Sequence, residues 1–394
     1  MARRGELGRV FENNSMRKKI LIIYPFINQE PLVFNLVENL RKNGIYVDAI
    51  NSLNFRYAAK PLQKTSLYVK IISFLFSLPI PKIKGFLSKV IIREKELLRI
   101  AKNYDIIDFH YLSSAYDNLI RELSDHKIIK VTFWGSDFYR ANLQRREEQR
   151  SLLALADRIQ IATKAMKKDI VNYFKDFQNK ISVANFGLYQ FEVISKTQES
   201  SYSPIFKTEE HKDKLMIVCG YNGSKGQQHE IIIEALSKID EDIKKKIFLI
   251  FPMTYGGANE YVKLIRNKLE NLKIPFLLLN NHLSDVAIAK LRLETDIVIN
   301  IQTTDAFSGS LQEHLFAENL LLVGDWLPYE ILDKNQVFIK RTQISNLTKD
   351  ISDCIVNFED LKIQTSGNQM KMHEISSWQV AGKKISDIYK DLLQ

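Results

Sequence analysis

The sequence predicts an α/β protein built from two doubly wound parallel-sheet domains. Two observations carry this expectation. Short apolar runs alternate with helix-length amphipathic segments, the pattern of parallel strands joined by helical crossovers. The pattern lapses near residues 196–213 and then starts again, and 394 residues suffice for two or three domains with cores of their own.

Taken in order, residues 1–15, "MARRGELGRVFENNS", precede a second Met and lack the apolar stretch of a signal peptide. They read as a disordered extension, an upstream start or an expression remnant. A first domain spans 16–200, with candidate strands "KKILIIYPF", "IYVDAI", "YDIIDFHYL", "KIIKVTFWG", "RIQIAT" and "KISVANFG". The segment "KTQESSYSPIFKTEEHKD", 196–213, gains Ser, Thr, Pro and charge and reads as a linker. A second domain over 201–370 carries "KLMIVCGY", a helix from Gln227, "KIFLIFPM", a helix from Asn259, "IPFLLLNN", a helix from Ser284, "DIVINIQ", a helix near Gly309 and "LLLVGDW". Residues 371–394 end in an amphipathic helix expected to pack back on the first domain. Ligands of open α/β sheets bind beyond the carboxyl ends of the strands, so both halves are expected to offer loops to a central cleft.

The net charge of +10 is unevenly spread. Residues 1–200 hold 33 Lys and Arg against 20 Asp and Glu, whereas 201–394 hold 23 against 26. Within the first half, residues 51–104 carry 11 basic and 2 acidic side chains among many Phe, Leu and Ile. That is the composition either of a surface meeting anionic lipid or phosphate, here placed at residues 55–100, or of a solvated helical face. No nucleic-acid-binding motif accompanies the charge, so nucleic acid is not the expected partner. The apolar stretch "IISFLFSLPIPKIKGFLSKVII" is broken by Pro79, Pro81, Lys82 and Lys84 and is too short to span a bilayer. Cys219 and Cys354 sit in apolar runs as expected buried thiols, and a reducing, cytoplasmic setting follows.

Two strand-to-helix junctions in the second half carry candidate chemistry. In "CGYNGSKGQQHEIIIEAL", residues 219–236, Asn222 and Gly223 lie in a glycine-bearing loop with Lys225 just before the helix. Helix-start amides and a compact cation suit a phosphate, although an ordinary turn would look the same. In "TTDAFSGSLQEHLFAEN", residues 303–319, Asp305 lies in the loop, Ser308 or Ser310 can cap the helix, and Glu313 falls on its early turns. A third loop holds Tyr255, Gly256 and Gly257, read equally as a phosphate loop or as a simple turn. In the first half, His110, Trp134 and Asp137 stand at strand ends. His110 reads as a hydrogen-bonded strand-end residue or a base, Trp134 as core or a sugar platform, and Asp137 as a base or a cap. His229 and His314 lack ligand spacing, and no metal site is expected.

These stretches together resemble retaining glycosyltransferases of family 4. The acid, seven residues, acid spacing of Asp305 and Glu313 is similar to that family's E-x7-E motif, and "EHLFAENLLLVGDW" to the run that continues it. "GYNGSKGQQHEIIIEAL" resembles its Gly-Arg…Lys-Gly segment. "DIIDFHYLSSAY" and "VTFWGSDFYR" resemble its acceptor-domain stretches, in the Trp-Gly-Ser-Asp variant seen in bacterial polysaccharide enzymes. The resemblance runs over most of residues 16–394. Asp305 replaces the first Glu, Tyr221 the family's Arg, and Trp134 its His.

The resemblance implies the GT-B architecture of two Rossmann-like domains. It also implies sugar transfer from a nucleotide diphosphate, UDP for preference, with retained anomeric configuration and no metal or other cofactor. By position, Asp305 would bind donor-sugar hydroxyls, and Phe307, Ser308, Gly309 and Ser310 would line the sugar and phosphates. Glu313 would hold the ribose, Lys225 would neutralise the leaving diphosphate, and His282 and Leu283 would begin the turn that reads the base. His110, Trp134 and Asp137 would meet the acceptor, a lipid-linked saccharide of the bacterial envelope, at the inner membrane face. Charge on the departing diphosphate then needs stabilising more than a protein nucleophile is needed. "FPMTYGGANEYVKLI" also resembles a segment of inverting transferases of 4-acetamido-4,6-dideoxygalactose, for which Asp137 or His110 would be the base. A nucleotide-sugar epimerase, a catalytically silent transferase partner and a polyanion- or membrane-binding scaffold are the other readings.

Overall fold

The computed structural model describes residues 18–25, 30–62, 67–77 and 93–394. The 1–15 extension, most of the loop after the first strand and much of the basic, aromatic segment lie outside the described residues. The chain forms two compact units. One comprises the described residues of Met1–Ala162 with Lys167–Ala184 and Gly382–Gln394, the other Thr163–Met166 and Asn185–Ala381.

The first unit holds a six-stranded parallel sheet of β1 Ile20–Tyr24, β2 Val47–Asn51, β3 Ile106–His110, β4 Ile128–Thr132, β5 Arg158–Ile161 and β6 Ile181–Val183, in the order β2-β1-β3-β4-β5-β6. Every residue of β1, β2 and β3 is buried, which is why these strands read as apolar runs rather than as alternating ones. Buried charges break the runs at Asp48 of β2, Asp108 of β3 and Lys130 of β4. Asp108 and Lys130 are register partners on β3 and β4, and the Lys130 ammonium lies 2.7 Å from the Asp108 carboxylate with both side chains fully buried. The later part of the Trp378–Leu393 helix belongs to this unit, and its Tyr389 hydroxyl donates to the same carboxylate.

The second unit repeats the plan with β7 Leu215–Cys219, β8 Ile247–Pro252, β9 Phe276–Leu279, β10 Ile297–Asn300, β11 Leu320–Gly324 and β12 Lys340–Thr342, ordered β12-β11-β10-β7-β8-β9 and parallel throughout. Successive side chains point to opposite faces, and each face has its own core. Ile217, Cys219, Leu249, Ile299 and Leu322 join Ile232, Leu236 and Ile351 on one side. Met216, Val218, Ile250, Val298 and Val323 join Leu311 and Leu315 on the other. The sheet is therefore doubly wound, and both cysteines are free, buried thiols. From β7 the chain winds outward through β8 and β9, and from β10 through β11 and β12 in the other direction. The junction of β7 with β10 is the switch point where such sheets open a crevice.

Three local expectations need correction. Strand β12 was not anticipated, because three residues, two of them basic, carry no apolar run. The helix expected from Gln227 begins at His229, after a short 3-10 turn over Lys225–Gln227. The 196–213 segment is no free linker: the Gln190–Glu199 helix enters it, and Glu294 accepts the backbone N–H groups of Ile205, Phe206 and Lys207, with Phe206 buried.

Candidate functional site

At the carboxyl ends of β7 and β10 the second unit builds one connected set of loops. Gly220 turns the chain out of β7 with φ +67, and a Cβ there would press to 3.0 Å on His229 Nε2 and on Gln227 Oε1. Asn222 Oδ1 accepts the Ser224 N–H at 2.9 Å, and Ser224 Oγ accepts that of Gly226, so the polar residues shape the loop by turning it on itself. Gly223 N–H donates to the Tyr255 carbonyl at 2.7 Å, and a Cβ on Gly257 would lie 2.6 Å from the Gly223 carbonyl oxygen. These glycines let the backbones after β7 and β8 touch, a demand that sequence alone does not distinguish from close approach to a ligand.

The loop after β10 is tied to the same framework. Gln302 Oε1 accepts from the Tyr221 hydroxyl at 3.1 Å and from Gln227 Nε2 at 3.0 Å, and the Gln302 carbonyl accepts the Trp326 indole N–H at 2.9 Å. Thr303 N–H donates to the Gly226 carbonyl at 2.9 Å. Tyr221, standing where the resembled family has Arg, is thus a brace between the two loops. Lys225 stays exposed at the end of the β7 loop, its ammonium 5.7 Å from the centre of the Tyr261 ring.

Asp305 is committed to its own loop. Its Oδ1 accepts the Ala306 N–H at 2.9 Å, and its Oδ2 accepts the Ser308 N–H at 2.9 Å and the Tyr329 hydroxyl at 2.6 Å. Asn300 Nδ2 donates in turn to that hydroxyl at 3.1 Å. Burial raises the Asp305 carboxyl above its ordinary range, against the pull of these donors. Phe307 is buried at φ 83, a left-handed conformation unfavourable for an aromatic residue, and its carbonyl accepts Gln312 Nε2 at 2.9 Å. Neither serine caps the Gly309–Phe316 helix as expected: Ser308 stands at the N-cap position without a side-chain cap hydrogen bond, and the Ser310 hydroxyl accepts from Arg292 at 3.0 Å.

Glu313 is paired with a residue that sequence reading missed. Arg292 Nε and Nη2 both donate to Glu313 Oε2, at 3.1 and 2.9 Å, in a largely buried ion pair. Burial pushes the Glu313 carboxyl up and Arg292 opposes it. His229 is buried, with Nδ1 3.4 Å from the Tyr261 hydroxyl, and burial depresses it to about 4, so it is neutral near pH 7. His282 is exposed and Leu283 is half-buried against the core on one face of the sheet and its helices, while Ser284 caps the Asp285–Glu294 helix through the Ala287 N–H at 3.2 Å. Tyr255 is exposed beside Gly256, whose φ is +78.

In the first unit His110, Trp134 and Asp137 are brought together at the ends of β3 and β4. Asp137 Oδ1 accepts the Trp134 and Gly135 N–H groups at 3.0 and 2.9 Å, and Oδ2 accepts the Leu112 N–H at 3.0 Å. Burial raises this carboxyl to about 6 against those three donors. The Trp134 indole N–H donates to His110 Nδ1 at 3.3 Å, which places the imidazole proton on Nε2, 3.1 Å from Asp108. His110 is therefore enclosed between Trp134 and Asp108.

Among the described residues no group of His, Cys, Asp and Glu could hold a metal ion, and no helix is long and apolar enough to cross a membrane.

The fold recurs in known structures. HepE of Anabaena, solved with UDP, superposes with a TM-score of 0.66 at 13% identity over 95% of this chain and 100% of that one. A glycosyltransferase of Rickettsia africae gives 0.69 at 16% identity over 96% and 99%, and sucrose-phosphate synthase of Thermosynechococcus elongatus gives 0.70 at 11% over 95% and 99%. The chain thus has the GT-B fold expected from its sequence. No protein-family model matches the chain, and no curated protein is similar to it in sequence.

Proposed function

We propose that this protein is a retaining glycosyltransferase that takes its sugar from a UDP-linked donor. The observation that carries the reading is the pair of loops at the β7/β10 switch point. One presents Lys225, the other presents Asp305 and Glu313 around a helix start, and the two are hydrogen-bonded to each other. Lys225 and the amides around Ser308, Gly309 and Ser310 stabilise charge as the diphosphate departs. Asn222, Gly223, Tyr255 and Gly256 hold the loop edge, Glu313 takes the ribose, and the turn at His282 and Leu283 faces the base. Asp305 Oδ1, which accepts only one loop N–H, keeps an acceptor position for a donor-sugar hydroxyl. HepE has been solved with UDP-glucose and MnaA of S. aureus with UDP, which supports the donor class. A retaining route in which the departing phosphate accepts the acceptor's proton needs no protein base. His110, enclosed, and Asp137, engaged by three amides, suit positioning better than proton abstraction.

The acceptor in this reading is a lipid-linked saccharide of the bacterial envelope, met by Trp134 and the Asp137 loop on a cytoplasmic enzyme at the inner membrane face. Support comes from the Leu67–Ser77 helix, where Leu67, Ile71 and Phe74 are 73%, 48% and 65% exposed at spacings that share one face. The test is thermal denaturation with UDP and UDP-sugars. UDP should raise the melting temperature of the parent protein and raise that of Lys225→Met much less. If no nucleotide shifts the parent, the proposal fails.

A further inference from the structure

We infer that Arg292 is a positioning residue that aims Glu313 at the donor ribose, a role that rests on the function proposed above. Arg292 sits in the last turn of the Asp285–Glu294 helix and is 7% exposed. Its guanidinium has no unused nitrogen: Nε and Nη2 converge on Glu313 Oε2, Nη2 also donates to Ser310 Oγ at 3.0 Å, and Nη1 donates to His314 Nε2 at 3.0 Å. Because His314 accepts at Nε2, its proton lies on Nδ1, where it is donated to Asn319 Oδ1 at 2.6 Å. Asn319 Nδ2 then donates to the Thr295 carbonyl at 2.7 Å. The arginine is thereby held from behind by a chain of hydrogen bonds anchored in the backbone.

The consequence falls on the two Glu313 oxygens unequally. Oε2 is consumed by the fork of Arg292. Oε1 lies toward the loop, 3.8 Å from where a Cβ on Gly309 would stand. Two donors on one oxygen fix the plane of the carboxylate, so Oε1 is presented in a set direction and can accept from vicinal hydroxyls. The fork also favours the ionised form of Glu313 against the burial that pushes its carboxyl up, and an ionised carboxylate offers acceptors only, as a diol requires. A lysine would supply the charge without the two-point geometry. The same guanidinium holds Ser310, so the first turn of the helix and the carboxylate move together.

The experiment compares binding of UDP and of 2′,3′-dideoxy-UDP by the parent protein, Arg292→Lys, Arg292→Met and Glu313→Gln. The parent should bind UDP at least tenfold more tightly than the dideoxy analogue. Arg292→Lys and Glu313→Gln should bring that ratio to about threefold or less while leaving affinity for the dideoxy compound within about threefold of the parent's. A role confined to packing would weaken both nucleotides alike and keep the ratio, and that result overturns the inference. Should Arg292→Met fail to fold, the double variant Arg292→Met/Glu313→Gln removes the buried carboxylate charge and should show the same collapsed ratio. A parent that binds both nucleotides equally refutes the ribose role while nucleotide binding stands. A parent that binds neither refutes the proposed function itself.

Discussion

Each unit buries an ion pair beneath its strand-end loops, and the two pairs are built differently. In the first unit Asp108 spends its oxygens inside the protein: Oδ1 accepts from Thr132 at 2.9 Å, and Oδ2 accepts from Lys130, from His110 and from the Tyr389 hydroxyl. Burial alone would raise this carboxyl, yet Lys130 and His110 hold it below its ordinary range. In the second unit Arg292 closes one oxygen of Glu313 and leaves the other facing the helix start. A closed pair can fix only the architecture around it. A pair with one acceptor left open can also meet a ligand.

The largest effect should come from breaking the closed pair. Lys130→Met leaves Asp108 buried without its cation and is expected to cost about 3–5 kcal/mol in denaturant unfolding, with nucleotide affinity unchanged in the folded protein. A loss under about 1 kcal/mol would mean that Tyr389, Thr132 and His110 satisfy the carboxylate unaided. Next comes the contact between loops. Gly257→Ala drives a Cβ to 2.6 Å from the Gly223 carbonyl and should cost about 1–3 kcal/mol. It should also weaken UDP binding, because the β7 loop must shift. Unchanged binding, followed by calorimetry, would detach that loop from the nucleotide.

The smallest effect is a pH slope. The Asp137 carboxyl titrates near 6 when folded against an ordinary value of 3.8, so the native state holds this proton more tightly than the unfolded chain. Its contribution to stability is full below pH about 4 and is lost as pH rises to about 6. His229, depressed to about 4 from 6.5, acts in the opposite sense, with stability gained as pH rises across that interval. The informative quantity is therefore the difference between the parent and Asp137→Asn in melting temperature against pH. Parallel curves would show that the three amides around Asp137, rather than burial, govern its titration.

Several parts of this picture were legible residue by residue. Among the described residues, eleven of the twelve strands coincide with apolar runs, because parallel strands covered on both faces are largely apolar, and β12 escaped because an edge of three residues carries no such signature. The closed ion pair was readable in hindsight: Asp108 and Lys130 interrupt neighbouring apolar strands with opposite charge, and parallel register sets them side by side. Asp305, Glu313 and Lys225 stood out through their places at strand-to-helix junctions. Arg292 and Tyr329 did not, since each acts across a gap in sequence that no local period spans.

By itself, then, the sequence determined the succession of strands and helices to within a few residues, β12 apart, because burial and helix starts act on residues within a few positions of one another. Only the tertiary structure decided what the polar residues at those ends do. Whether a carboxylate oxygen is consumed or left open depends on which donor an adjacent helix or loop brings within 3 Å, as Arg292 does for Glu313 and Tyr329 for Asp305. Strand order supplies that neighbour by setting β10 beside β7, and chain order alone does not.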